Sequence, residues 1–277
     1  MSAPSNLALR VLVAVIFGPL FLLLFWFGSW ALLAGLWVVV GLGTWEFYRL
    51  QRSKGLHPWT RFGIAASLVW CLWVHSFGVA LLIYPMLGLV LAVLVLSLCR
   101  REGRFRIADG SATLVGVLYV GFLGSFAVVV RNLPGVHGIE NWSRGITLVV
   151  LIGIWATDIA SYFAGSALGR RHPLREISPG KTEAGFIGGA VFGAGSVLLG
   201  CRVLGLLPIG EALGLGLVVV LGSQVGDLVQ SVMKRDAGVK DASNLIPGHG
   251  GVLDRFDSFL FAYPLTFLYI SILRALG

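Results

Sequence analysis

Leu9–Phe27, LRVLVAVIFGPLFLLLFWF, carries only one charge, Arg10, and is followed almost at once by a second apolar run. Crossing the hydrocarbon of a bilayer takes roughly 20 apolar residues of helix, so a run of this kind reads as a membrane span. No small-residue cleavage site follows it, and it is expected to be retained rather than removed as a signal peptide. The rest of the chain repeats the pattern. Of 277 residues, 57% are hydrophobic and 12% charged, and the mean hydropathy is +0.88. Hydropathy places apolar runs at 9–27, 30–49, 62–77, 79–99, 112–130, 146–167, 185–205, 212–233 and 256–274. The expected fold is therefore all-α: a polytopic integral membrane protein with about nine transmembrane helices. The break at Ser76-Phe77-Gly78 makes the third and fourth runs the least sharply separated pair.

Charge distribution orients these runs. With the N-terminus cytoplasmic, every Lys and Arg except Arg131, Arg144, Arg202 and Arg274 falls on the cytoplasmic side. That asymmetry follows the positive-inside rule, and one span more or fewer would spoil it. It also accounts for the net charge of +8 without invoking nucleic acid. Cys71, Cys99 and Cys201 are far apart in or beside apolar runs and suggest neither a disulfide framework nor a zinc site. There is no internal repeat of the kind that builds many transporters. Gly185, Gly188, Gly189, Gly193 and Gly195 read as small residues that let helices pack closely.

The longest interruption is Ser231–Asp257, SVMKRDAGVKDASNLIPGHGGVLDRFD. It alternates cations (Lys234, Arg235, Lys240, Arg255) with carboxylates (Asp236, Asp241, Asp254, Asp257) and holds the turn-rich run Pro247–Gly251. A plain connector needs only a few polar residues; this composition suits a metal-chelated polyphosphate. Gln224, Asp227, Ser231 and Lys234 lie on one helical face leading into it. Asp158, Ser161 and Tyr162 share a face in the sixth run. Ionisable groups within spans are costly and point to a functional interior, the plainer alternative being hydrogen bonds to neighbouring helices.

Asp254 and Asp257 stand where the ninth helix should begin, so helix capping is one reading. The other is that Asp227 and Asp254 supply oxygen ligands to magnesium, which combines a few carboxylates with substrate phosphates. Gly250 and Gly251 let backbone amides turn toward an anion. His249 is either a base or a loop hydrogen-bonding group. Lys181, in Ile177-Ser178-Pro179-Gly180-Lys181-Thr182, lacks a full P-loop pattern; it is expected either to contact phosphate or to anchor the helix end. Glu46 sits at helical spacing from Arg49, and a local ion pair is one account of it.

Ser231-x-Met233-Lys234-Arg235, Lys240-Asp241-x-Ser243 and Ile246-Pro247-x-His249-Gly250-Gly251-Val252-x-Asp254-Arg255-Phe256-Asp257 together resemble the complete signature of the CDP-diacylglycerol synthases (phosphatidate cytidylyltransferases). Gln224-x-Gly226-Asp227, Ser178–Thr182 and Asp158-x-x-Ser161-Tyr162 are similar to the family as well, so the likeness covers about residues 150–257. Glu183-Ala184 departs from it, since the family often has Trp followed by Glu or Gln there. The resemblance implies that CTP and phosphatidate give CDP-diacylglycerol and pyrophosphate, with magnesium required and a second metal ion left open. It implies catalytic roles for Asp227, Asp254, Lys234, Arg235, Lys240, Asp241 and Arg255, with Asp227 and Asp254 as metal ligands. Substrate contacts are expected from Lys181, Ser178, Thr182, Ser231, Asn244, His249, Gly250, Gly251 and Asp158.

The expected organisation is a single membrane domain, 1–277. Residues 1–145 would give scaffold and lipid-facing helices, and residues 146–277 the catalytic helices and cytoplasmic loops. The partners implied are CTP, phosphatidate, the lipid bilayer and a second copy of the chain as a homodimer, with no nucleic acid. The setting is a bacterial-type cytoplasmic (inner) membrane with the active site facing the cytoplasm. Rival readings are a CTP-dependent lipid kinase, a cytidylyltransferase for another lipid phosphate, and a cation-coupled transporter. The transporter reading accounts for Asp158 and Asp227 but leaves the 231–257 loop unexplained.

Overall fold

The computed structural model describes residues 6–98, 107–135, 139, 141–246 and 250–276, with side chains inside the terminal helices from Val15 to Ala275. Every apolar run predicted from hydropathy is a helix. They are α1 (Asn6–Phe27), α2 (Ser29–Ser53), α3 (Thr60–Phe77), α4 (Ile83–Leu98), α5 (Ile107–Arg131), α6 (Trp142–Leu168), α7 (Glu183–Val203), α8 (Ile209–Asp236) and α9 (Leu253–Leu276). No strand accompanies them among the described residues; one isolated bridge joins Ile246 and Gly250. Six helices, α2 and α5 to α9, are long and apolar enough to cross a membrane. Val15–Phe27 and Ile83–Leu98 are shorter apolar helices, and α3 falls outside both groups. The uncertain break is real: Gly78, with φ of +64°, closes α3 in an extended, positive-φ conformation that is open essentially to glycine alone. Arg100, Arg101, Arg104, Arg106 and His249 lie outside the described residues.

The chain divides into two compact units, Met1–Val129 with Asp236–Phe256, and Val130–Arg235 with Asp257–Gly277. In the first, Tyr48 of α2 is fully buried and donates to Thr113 O of α5 at 2.8 Å. Its phenol occupies the space that side chains at Gly63 and Gly116 would fill, so both positions must be small. A π-helical stretch, Val117–Phe122, interrupts α5. Within it, a methyl on Gly121 would stand 2.9 Å from Ser67 Cα, the close approach of α3 to α5. The α2–α3 connection is tied to α5 through His57 N–H to Asp109 Oδ1 (2.7 Å) and Trp59 N–H to Thr113 Oγ1 (3.0 Å).

In the second unit the glycine-rich face of α7 meets α6: a methyl on Gly185 would stand 2.8 Å from Ser161 O, and one on Gly188 would collide with Ala164. Such small-residue contacts let backbones approach where bulky side chains would hold them apart. Thr182 starts α7 as its N-cap, accepting from Gly185 N–H at 3.1 Å. Helix α8 approaches α9 through Gly222 and Gly226; a methyl on Gly222 would lie 2.6 Å from Ala262 Cα, and one on Gly226 3.0 Å from Ser258 Cα. This close crossing sets the next residue, Asp227, beside the start of α9's share of the unit.

Candidate active site

In the second unit, Asp227 Oδ2 lies 2.8 Å from the Lys181 ammonium. The Lys181 ammonium is itself buried and makes no hydrogen bond, so the contact is an ion pair without in-line hydrogen-bond geometry. A buried cation with unused donors suits an incoming anion better than a finished structural pair. Arg235, at the end of α8, donates from Nε to Ile177 O at 3.4 Å, holding the same 177–182 segment. Gln224 donates to Phe186 O at 2.9 Å, fixing α8 to α7 one turn earlier. Asp257 is buried and within Coulombic reach of Asp227, Asp158 and Lys234. Ser258 bridges the group, with its hydroxyl 3.5 Å from Asp158 Oδ1 and 3.2 Å from Ser223 O. Thus Asp158, Lys181, Asp227, Lys234 and Asp257 form one charged cluster. Ser231 is buried on the same face of α8, Ser178 is half-buried, and Thr182 is engaged as the α7 cap.

In the first unit, Asp254 Oδ2 accepts from Ala242 N–H (2.9 Å) and Gly251 N–H (3.0 Å). It stands in the first turn of α9 and reaches back to the preceding loop, which is the geometry of the capping alternative. Glu46 of α2 is 0% exposed and takes three donors from the same loop: the Ser243 hydroxyl, Val252 N–H at 2.9 Å and Leu253 N–H at 2.6 Å. Arg49 is not its partner in this arrangement and stacks over Trp45, 5.8 Å from the ring centroid. Gly250 has φ of +81°, and its carbonyl accepts from Ile246 N–H at 2.9 Å. The Gly251 amide is turned toward an anion, as glycine there allows, and that anion is the chain's own Asp254. Lys240, Asp241, Asn244 and Arg255 are exposed.

Two residues emerge that sequence reasoning did not place in the site. Asp257 reads as a helix-start carboxylate, but its burial beside Asp227 makes it part of the cluster. Glu46 reads as one half of a helical i,i+3 pair with Arg49. Its signal was already present: a carboxylate in an apolar helix needs donors, and the nearest cation in sequence, Arg49, lies over Trp45 instead. Among the described residues, no group of three or more His, Cys, Asp or Glu side chains is placed to hold a metal ion alone. The half-exposed Asp227 carboxylate is nonetheless a hard oxygen donor beside the Lys181 ammonium. That donor chemistry fits magnesium arriving with a triphosphate, which needs only one or two protein carboxylates.

Comparison with known families matches residues 8–273 to the cytidylyltransferase family. A phosphatidate cytidylyltransferase of Synechocystis sp. is 36% identical over 291 residues, covering 95% of this chain and 96% of the relative. Phosphatidate cytidylyltransferase 4, chloroplastic, of Arabidopsis thaliana is 32% identical over 278 residues, 88% of this chain and 68% of the relative. A phosphatidate cytidylyltransferase of Bacillus subtilis is 38% identical over 167 residues, 59% of this chain and 58% of the relative.

Proposed function

The chain belongs to the cytidylyltransferase family, and from that premise we propose that it is a phosphatidate cytidylyltransferase, a membrane nucleotidyltransferase of phospholipid biosynthesis. The observation that carries this reading is that the family match runs from residue 8 to residue 273 and so includes both charged clusters. A phosphate oxygen of phosphatidate attacks the α-phosphorus of CTP. A new P–O bond forms, the bond to the β-phosphate breaks, and CDP-diacylglycerol and pyrophosphate result. The attacking phosphate is already anionic, so the protein's work is positioning and charge neutralisation.

Lys181, Lys234 and Arg235 in the second unit, and Lys240 and Arg255 in the first, are the groups for phosphate oxygens. Asp227, beside Lys181, would hold magnesium, with Asp254 the second donor implied by the resemblance; bound there, the ion would neutralise charge on the leaving pyrophosphate. Asp257 lies within Coulombic reach of both Asp227 and Asp158, and a cation bound there would relieve the repulsion among these carboxylates. The homodimer rests on the resemblance alone.

Purified protein supplied with labelled CTP and phosphatidate should place cytidine in lipid only when magnesium is present. Phosphate transfer without cytidine would mean a lipid kinase, and neither transfer would return the transporter reading. The distribution of Lys and Arg supports nine spans, a cytoplasmic N-terminus and a site facing the cytoplasm of a bacterial-type inner membrane. Reporter fusions at Gly277 and within residues 240–245 should then report opposite sides; agreement between them would overturn that topology.

A further inference from the structure

Glu46 is a fully buried carboxylate on an otherwise apolar helix. Burying a charge is tolerable only when hydrogen bonds replace its water. Its replacements all come from the loop that ends in Asp254. The successive amides of Gly251, Val252 and Leu253 are divided between two carboxylates: the first donates to Asp254, the next two to Glu46. The other limb of the loop repeats the division, Ala242 N–H donating to Asp254 and the Ser243 hydroxyl to Glu46. Ser243 Oγ also accepts from Leu245 N–H at 3.1 Å, so Glu46 reaches the backbone two residues further on. Gly251 leaves room for this, because a methyl there would stand 2.7 Å from both Glu46 oxygens.

Resting on the cytidylyltransferase reading, we infer that Glu46 is a positioning residue for nucleotidyl transfer: through Ser243, Val252 and Leu253 it clamps the two limbs of the loop in the conformation that presents Asp254. Lys240 and Asp241 are exposed, so the backbone, rather than packing of their own side chains, sets where they stand. Two amides at a helix start also carry the positive end of the helix dipole, which an anionic side chain stabilises and a neutral one does not. A glutamine offers one oxygen for three donors and turns an NH2 toward the rest.

The test compares wild type, Glu46→Gln, Glu46→Asp and Ser243→Ala in detergent, by kcat and KM for CTP and by the rate of tryptic cleavage after Lys240. Glu46→Gln should lower kcat/KM by about 10- to 100-fold, the scale of losing hydrogen bonds to a charged group, and should speed cleavage. Glu46→Asp, which keeps the charge, should recover part of both. Ser243→Ala should shift both in the same direction by less, and adding it to Glu46→Gln should change little more. Wild-type kcat/KM in a less heat-stable Glu46→Gln would make the residue merely structural and overturn the inference; so would lost activity with unchanged cleavage. Should Glu46→Gln fail to insert, Ser243→Ala decides by the same two readouts. A wild-type protein that forms no cytidine lipid defeats the proposed function, while the cleavage comparison still judges the clamp.

Discussion

In the first unit, Glu46 and Asp254 receive backbone amides and a serine hydroxyl; in the second, Asp227 meets a lysine ammonium and shares its surroundings with Asp158 and Asp257. An oxygen that accepts two fixed amides is held by the fold, and exchanging those partners means moving backbone. An oxygen facing a long, flexible ammonium can exchange it for a metal-bound phosphate by a change of rotamer. Carboxylates of equal charge therefore serve different ends. One set builds the loop, and the other, on the proposed function, would exchange its lysine for ligand.

Asp227→Asn should break the second set most completely. Turnover should fall by about 10²–10³-fold, the effect of removing one preorganised electrostatic contact, measured as cytidine incorporation per inserted protein. If Asp227 serves only as the counterion of Lys181, neutralising both residues together should restore much of that loss. Asp254→Asn should cost less, about 10- to 100-fold, since the amide oxygen still accepts from the loop. It should also raise the magnesium concentration needed for half-maximal rate. If both hold one magnesium ion, as the resemblance implies, the combined variant should lose far less than the product of the two. Asn is a good cap, so near-normal kinetics in Asp254→Asn would place Asp254 wholly with the builders.

The two sets were not equally legible in the sequence. Helix number and order followed from hydropathy, because apolar run length is dictated by the bilayer. The second cluster was largely readable too: Gln224, Asp227, Ser231 and Lys234 share a face because helical periodicity is local. Asp257 was not, since its burial depends on Gly222 and Gly226 drawing α8 onto α9. Glu46 was misread for a related reason. Its donors lie some two hundred residues along the chain, and only Arg49 was close enough in sequence to suggest a partner. Thr182 shows the opposite case: a residue expected at the substrate is also the N-cap that local sequence rules would have assigned.

The basic residues sharpen the same contrast at a smaller scale. Neutralising Lys234, Arg235 or Arg255 should each lower kcat/KM for CTP by about tenfold, the worth of a modest charge-assisted contact, with insertion intact. Arg255→Lys should recover only part, since a point charge does not reproduce a planar fork. Arg235→Lys should also release Ile177 O. Faster proteolysis in residues 170–182 of that variant would show that Arg235 holds the segment as well as phosphate. Normal CTP kinetics for all three neutral variants would remove the polyphosphate site.

The smallest effect belongs to the other end of the loop that Glu46 clamps. Lys54, just past α2, pairs with Asp236, while Ser53 donates to Ala237 O at 3.4 Å. The pair resembles the Glu46 contacts in linking α2 to the loop, but its side chains are 30% and 58% exposed. Water and salt screen such a pair, and exposed ion pairs contribute about 0–1 kcal/mol. Lys54→Met should therefore lower the apparent melting temperature by no more than a few degrees, and the difference from wild type should vanish at high salt. Its kcat/KM for CTP should stay within about twofold of wild type, because the Glu46 contacts still fix Ser243, Val252 and Leu253. A loss as large as that of Glu46→Gln, persisting at high salt, would show that the loop is set by both of its ends and that burial is not what distinguishes the two contacts.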